Sequence, residues 1–364
     1  MSILLSTFYF FYFSVVGVYV IFMPKILSNI SYTPSEIGII FASGPLVKFL
    51  LPFAFSKGLK LNAKSFNIAL VIVFFAVLSF YIFIYDFHMF LLCNIAFGIG
   101  FSLILPYIEV ISLESVGKER YGKIRLFGSI GFMLVALVLV KFLTSPNIAL
   151  HYLLSLVMLT SGVAFAIVRI SHPKESQPKN LPNDITLLKD WRLWFGLMLM
   201  QMSFGPFYNF FTIYETNYGI SMDTTVYLWC FGVIVEIFML FFQGRLLRKN
   251  LLVLLQITTF AGAFRWFLIF LFPQNLPILF FAQSLHALSF ALFHSASISY
   301  LFHLYKNKPL TQQFFSGLTY GLGGFLGALY AGYIYEIYPQ YLFLSATLIA
   351  LAACGFLRSF ANNR

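Results

Sequence analysis

The sequence predicts an all-α membrane protein with twelve transmembrane helices. Of its 364 residues, 60% are hydrophobic and only 10% are charged, and the mean hydropathy is +0.88, which leaves almost no chain for a soluble domain. A membrane-spanning helix needs about 20 mainly apolar residues, and the chain contains twelve such runs. Strands of a membrane barrel would alternate polar and apolar residues over about 10 positions, and runs such as 68–85 show no such alternation.

The predicted spans are numbered first to twelfth in chain order. They cover residues 3–23, 35–56, 66–85, 89–114, 122–142, 149–170, 191–214, 223–246, 250–272, 277–304, 312–335 and 339–358. The first run could be mistaken for a signal peptide, but it has neither a basic segment before it nor a small-residue cleavage site after it. We therefore expect it to stay attached as a helix.

One loop divides the chain into two halves of six spans. It is the only stretch that is both long and polar, and Pro173, Pro178 and Pro182 discourage regular structure within it. The sequence predicts an amino-terminal half at 1–170, a cytoplasmic linker at 171–190 and a carboxy-terminal half at 191–364. Lys48 and Glu236 occupy matching positions in the second and eighth spans, as expected for a pseudo-symmetric pair of halves.

The net charge of +11 follows membrane topology rather than a nucleic-acid surface. With the amino terminus inside, the two basic residues on the outer side are Lys25 and Lys141. The basic residues predicted on the cytoplasmic side are Lys57, Lys60, Lys64, Lys118, Arg120, Lys123, Arg169, Lys174, Lys179, Lys189, Arg192, Arg245, Arg248, Lys249, Lys306, Lys308, Arg358 and Arg364. This distribution predicts an inner-membrane protein with both termini in the cytoplasm and no nucleic-acid partner.

The cysteines predict neither a disulfide framework nor a metal centre. Cys93, Cys230 and Cys354 lie scattered in apolar runs, and their number is odd. We expect small core residues there, with no metal and no cofactor.

Four ionisable residues lie inside three consecutive spans: Glu236, Arg265, His286 and His294. A charge at the centre of a membrane helix costs about 2.5–3.5 kcal/mol on insertion scales, so it faces protein or water and has a partner. A proton-coupled carrier needs a buried carboxylate and a nearby cation or histidine. We interpret the four as one proton-coupling site. The alternative is a structural salt bridge between the eighth and ninth spans, with hydrogen-bonded core histidines.

A second set of charges lies in the amino-terminal half. Lys48 is near mid-membrane, and Glu109 and Arg125 flank the turn between the fourth and fifth spans. Together with Tyr208 and Asn209 of the seventh span, these residues are our predicted substrate site. The alternative for Glu109 and Arg125 is a latch at the membrane interface.

Several segments resemble one family. They are YGKIRLFGSIGF at 121–132, FYNFFTIYETNYG at 207–219, LWCFGVIVEIF at 228–238, AFRW at 263–266, LHALSFALFH at 285–294 and TYGLGGFLGALYAGYIYEIYP at 319–339. Over essentially its whole length the chain resembles the phenylpropionate permease branch of the major facilitator superfamily, and more distantly the lactose permease group. The resemblance implies the major facilitator fold, and it implies that His286 is nearer to Glu236 than His294 is.

These observations predict a secondary active transporter that works by alternating access. We expect proton-coupled symport of a small organic solute such as an aromatic monocarboxylate, carried by a monomer. The alternatives are a nucleoside or sugar symporter and a drug exporter of the same fold. An enzyme would need a polar catalytic cluster near an interface, and the sequence shows none.

Overall fold

The computed structural model describes residues 1–171 and 185–363. Within those ranges the regular structure is helical. Most of the predicted linker, and with it Lys174, Lys179 and Arg364 of the charge argument, lies outside the described residues.

Ten described helices are long and apolar enough to cross a membrane. They are Ser2–Asn29, Pro34–Phe55, Ala63–Phe83, Phe87–Gly117, Arg120–Phe142, Pro146–Ser171, Met222–Arg245, Leu251–Leu271, Leu276–Leu304 and Pro339–Asn362. They correspond to the first six spans, the eighth, ninth and tenth spans, and the twelfth. The fourth and fifth spans meet at Gly117, whose φ of 74° favours glycine.

The two remaining spans, the seventh and the eleventh, are not among these ten. The seventh forms Trp191–Met202 and Gly205–Asn217, with Pro206 in the first turn of the second piece. The eleventh forms Lys308–Phe315, a π-helical segment Ser316–Gly323 and Gly324–Ile337. At the break of the seventh span, a Cβ on Gly205 would lie 2.1 Å from the Gly327 carbonyl oxygen. Only glycine permits that approach of two backbones at the break of the seventh span.

The chain groups into two compact units. The first holds Met1–Tyr32 and Phe53–Pro178, and the second holds Thr33–Pro52 and Lys179–Arg364. Most of the second span therefore packs with the carboxy-terminal spans. The division of the sequence into 1–170, 171–190 and 191–364 stays a prediction.

The first unit is built around the aromatic face of the first span. The Tyr12 ring stacks on Phe101 with centroids 4.1 Å apart, and the Tyr12 hydroxyl donates to the Phe101 carbonyl at 3.2 Å. Further along the same span, the Tyr19 hydroxyl donates to Asn94 Oδ1 at 2.7 Å. These bonds satisfy polar groups that lipid could not satisfy.

In the second unit, glycines of the eleventh span pack directly on other backbones. A Cβ on Gly321 would lie 2.8 Å from the Phe49 backbone, and one on Gly38 would lie 3.0 Å from the Gly332 Cα. At this same contact the Ser35 N–H donates to Glu336 Oε2 at 2.8 Å. Small residues allow this close approach of membrane helices.

The start of the seventh span is tied to the end of the tenth. Asp190 is buried and accepts a hydrogen bond from the Tyr305 hydroxyl at 2.8 Å, while the Trp194 indole N–H donates to the Tyr305 oxygen at 3.1 Å. Burial, with the hydrogen bond to Asp190, raises the pKa of the Tyr305 phenol. These bonds fix the entry of the seventh span beside the tenth.

Candidate functional site

The structure joins Glu236, His286 and Arg265 in one hydrogen-bonded chain. Glu236 Oε2 lies 3.3 Å from His286 Nε2. On the other edge of the imidazole, Arg265 Nη1 lies 2.9 Å from His286 Nδ1. Arg265 Nη2 donates to Gln283 Oε1 at 2.7 Å. His286 therefore lies between the carboxylate and the guanidinium.

The hydrogen bonds of His286 with Arg265 and Glu236 determine its tautomer. A guanidinium only donates hydrogen bonds, so Nδ1 accepts from Arg265 and carries no proton. The imidazole proton is then on Nε2, which donates to Glu236 Oε2. A second proton on Nδ1 would point at the Arg265 N–H groups and break that bond. The ring is therefore a neutral bridge between two charges.

Arg265 is held by aromatic faces as well as by hydrogen bonds. It is 0% exposed, and its guanidinium carbon lies 4.3 Å from the Phe207 ring centroid and 4.4 Å from that of Trp266. Desolvated cation–π contacts of this kind are worth about 2 kcal/mol. Its Nε has no hydrogen-bond partner among the described residues. The counter-charge in the hydrogen-bonded chain is Glu236, on the far side of His286.

Local backbone features bring these side chains together. Gly232 lies one helical turn before Glu236, and a Cβ there would meet Gln283 Oε1 at 3.4 Å and the His286 ring at 3.8 Å. These are ordinary van der Waals distances, so the eighth and tenth spans lie close together at this level and an alanine would also fit there. A π-helical segment, Ala287–Leu292, begins directly after His286, and such segments are frequent at functional sites.

The second histidine occupies a different position. His294 Nδ1 lies 2.6 Å from the Tyr320 hydroxyl of the eleventh span, and the His294 side chain is exposed. Three of the four predicted residues form the hydrogen-bonded chain, and His294 contacts the eleventh span. A single proton-coupling site of all four residues stays a prediction. The two histidines are eight residues apart in the sequence, and the π-helical segment Ala287–Leu292 lies between them.

Glu109 and Arg125 form the predicted ion pair in the first unit. Arg125 Nη1 contacts Glu109 Oε1, and the Tyr121 hydroxyl donates to the same oxygen at 2.9 Å. The Arg125 guanidinium also lies 5.3 Å from the Phe13 ring centroid. The side chains of Arg125 and Glu109 are 41% and 30% exposed. A substrate contact and a latch both remain open for this pair.

The other predicted substrate residues differ in their surroundings. The Lys48 side chain is exposed and belongs to the part of the second span that packs in the second unit. The Tyr208 ring stacks on Phe204 with centroids 5.6 Å apart. Asn209 is buried, and its amide donates to the Gly205 carbonyl at 2.8 Å, where the seventh span is broken. This bond gives Asn209 a structural contact that the sequence did not reveal.

Two further residues join the clusters without having been singled out from the sequence. Gln283 precedes His286 by three positions, and Tyr121 precedes Arg125 by four. Residues three or four apart share a helix face, so polar side chains at that spacing in an apolar run were the available signal.

The helices and buried charges define a polytopic membrane transporter, and comparison with known proteins identifies its family. The model of the MFS_1 like family matches residues 2–345. The chain belongs to this family and to the major facilitator superfamily of transporters. It is a multi-pass membrane protein that transports a small molecule, and its relatives and structural neighbours are transporters rather than enzymes.

The chain is 25% identical over 366 residues to the "Probable 3-phenylpropionic acid transporter" of Escherichia coli, covering 96% of this chain and 95% of that protein. The solved structure of the nucleoside transporter NupG has a TM-score of 0.80 at 16% identity, covering 99% of this chain and 98% of that one. A solved structure of the Escherichia coli fucose:proton symporter FucP has a TM-score of 0.60 at 14% identity, with 99% and 98% coverage. At these identities the two solved structures show the fold.

Proposed function

We propose that this chain is a proton-coupled symporter in which Glu236 binds the coupling proton. It works as a monomer in the inner membrane by alternating access, with both termini in the cytoplasm. The observation that carries the proposal is the hydrogen-bonded chain from Glu236 through His286 to Arg265.

Of Glu236, His286 and Arg265, Glu236 is the residue that can accept a proton and keep its hydrogen bond. His286 has both ring nitrogens engaged, and Arg265 is already protonated. The Glu236 side chain is 20% exposed, against 7% for His286. A carboxylic acid with one hydroxyl can still accept from His286 with its carbonyl oxygen. The carboxyl is therefore both chemically suited to the proton and the more accessible of the two.

Protonation of Glu236 changes the electrostatic balance of the site. With the carboxylate ionised, its charge and that of Arg265 compensate each other. Once the Glu236 carboxyl is neutral, the buried Arg265 guanidinium has no counter-charge among the three hydrogen-bonded residues. An uncompensated buried charge is strongly unfavourable. An anionic substrate entering nearby would offset this cost, which links binding of the proton to binding of an acid.

The substrate is a small monocarboxylate with an aromatic ring, similar to 3-phenylpropionate. Lys48 is the proposed cation for the carboxylate. Arg125 is a separate candidate for this contact, because a guanidinium can make two parallel hydrogen bonds to a carboxylate. Tyr208 offers a ring face for stacking. The name of the Escherichia coli relative supports the same class of acid. A nucleoside or a sugar is the second candidate, favoured by the fold shared with the nucleoside and fucose transporters, and a drug exporter is the third.

The coupling test compares Glu236→Gln with the wild type in proteoliposomes. The glutamine mimics the protonated acid permanently, so an imposed proton gradient should no longer drive accumulation, while exchange of labelled substrate continues. Glu114→Gln is the control, because Glu114 is an exposed acid, and it should accumulate substrate normally. Normal accumulation by Glu236→Gln would rule out Glu236 as the proton carrier.

The substrate test uses competition for uptake. We expect 3-phenylpropionate to compete strongly and its neutral amide and alcohol to compete weakly. Lys48→Gln should lower the affinity for the acid and leave that for the neutral analogues unchanged. If the neutral analogues compete equally, or if Lys48→Gln leaves affinity for the acid unchanged, a nucleoside or sugar becomes the better assignment.

A further inference from the structure

A second carboxyl group, that of Glu215, is buried without a partner. Glu215 lies in the last turn of the helix Gly205–Asn217 and is 0% exposed. Neither of its carboxyl oxygens has a hydrogen-bond partner among the described residues. Buried side-chain oxygens usually have at least one partner, so this group requires an explanation.

The groups that act on Glu215 are aromatic rather than cationic. The titratable groups that face it are the phenols of Tyr214 on its own helix and Tyr335 on the eleventh span. No lysine, arginine or histidine of the described chain forms a hydrogen bond with its carboxyl oxygens. An ionised carboxylate in such a place would be uncompensated, and a buried group in that position takes up a proton instead.

A layer of aromatic rings separates Glu215 from the hydrogen-bonded cluster of Glu236, His286 and Arg265. One turn before Glu215, the Phe211 ring lies 5.7 Å from Trp229, and the Trp229 indole donates to Thr212 at 3.1 Å. Trp229 also lies 4.2 Å from Phe207, the residue over which Arg265 sits. Phe207 and Glu215 are eight residues apart, about 12 Å along a helix. The two carboxyl sites are therefore distinct.

A tight turn lies directly beyond Glu215. Gly219 has a φ of 90° and is exposed, and the Ile220 N–H donates to the Glu215 backbone carbonyl at 3.0 Å. This turn joins the seventh and eighth spans at the membrane face opposite the linker. Opening of this turn is one way for water to reach the Glu215 carboxyl.

We propose that Glu215 is a second proton-binding site, occupied by a proton in this conformation and emptied when the turn at 218–221 opens to water. The proton is held on one carboxyl oxygen as the O–H of the neutral acid. On opening, this O–H bond breaks, the proton passes to water and the carboxylate remains. The proposal does not depend on Glu236 being the coupling residue.

Infrared spectroscopy of the purified protein at neutral pH tests the proposal directly. A protonated carboxyl has a C=O stretching band well separated from that of a carboxylate. We expect the wild type to show such a band, Glu215→Gln to lose it, and Glu236→Gln and the exposed-acid control Glu114→Gln to keep it. A wild-type spectrum without a band that Glu215→Gln removes overturns the proposal.

The pH dependence of thermal unfolding provides a second measurement. A glutamate in an unfolded chain ionises near pH 4.3, whereas the folded protein would still hold the Glu215 proton at neutral pH. The folded state then binds more protons, so its stability falls as pH rises above about 4.3, and Glu215→Gln should lose this part of the slope. Equal slopes for the two proteins would overturn the proposal even if the infrared band were obscured.

Discussion

The two charged clusters of this protein differ in how deeply their charges are buried and in how the charges contact each other. In the first unit, Arg125 and Glu109 touch directly, and both side chains are partly exposed, at 41% and 30%. In the second unit, Arg265 is fully buried and reaches Glu236 through the neutral ring of His286. The first cluster is a direct ion pair. In the second cluster the imidazole of His286 separates Arg265 from Glu236, whose side chain is partly exposed.

The difference lies in how the acid and the arginine of each cluster contact each other. In the direct pair, the guanidinium of Arg125 contacts the Glu109 carboxylate itself. In the separated pair, the imidazole of His286 lies between the Arg265 guanidinium and the Glu236 carboxylate. Four variants or pairs of variants can break or sharpen this comparison.

The largest effect is expected at Arg265. Replacing Arg265 by Gln removes one charge of a buried pair, which costs about 3–5 kcal/mol in comparable cases. Adding Glu236→Gln should restore part of the lost stability, because no unpaired charge then remains. Thermal unfolding in detergent measures both changes. Identical unfolding temperatures for the single and double variants would argue against electrostatic coupling through His286.

A matched pair of substitutions tests the role of the imidazole. An Asn side chain places its amide near Nδ1 of a histidine, and a Gln side chain places its amide near Nε2. His286→Asn can therefore still accept from Arg265, whereas His286→Gln leaves that buried donor unsatisfied at a cost of about 1–3 kcal/mol. We expect His286→Gln to unfold at the lower temperature. The reverse order would mean that the assigned tautomer is wrong.

A smaller effect is expected for the first unit. The partly exposed Glu109–Arg125 pair should show a coupling energy of about 1 kcal/mol or less in a double-mutant cycle of Glu109→Gln and Arg125→Gln. The coupling should weaken at high salt. If instead it matched the coupling of the second cluster and ignored salt, the contrast between the two clusters would disappear.

The smallest effect concerns the predicted substrate residues of the seventh span. Tyr208→Phe removes one hydroxyl and should raise the KM for uptake by at most about tenfold, the value of one hydrogen bond. Asn209→Ala removes the hydrogen bond to the Gly205 carbonyl, so it should lower stability and leave KM nearly unchanged. A large rise in KM for Asn209→Ala with unchanged stability would instead assign this amide to the substrate.

Much of the fold could be predicted from the sequence. The ten long spans begin within three residues of their predicted starts, because the thickness of the bilayer sets the length of an apolar run. The acid, the arginine and the histidine of the second cluster were found for a similar reason. An ionisable residue in an apolar run is costly, so its presence indicates a site.

The sequence by itself therefore determined the class of protein, the positions of the long spans and the ionisable groups of the second cluster. Only the tertiary structure decided that His286 lies between Glu236 and Arg265, that Gly205 and Gly327 meet at the break of the seventh span, and that Glu215 is fully buried. These features depend on how each helix is rotated and where it crosses its neighbours. Spans that are apolar on every side carry no periodic pattern to indicate that rotation, and side-chain packing sets it instead.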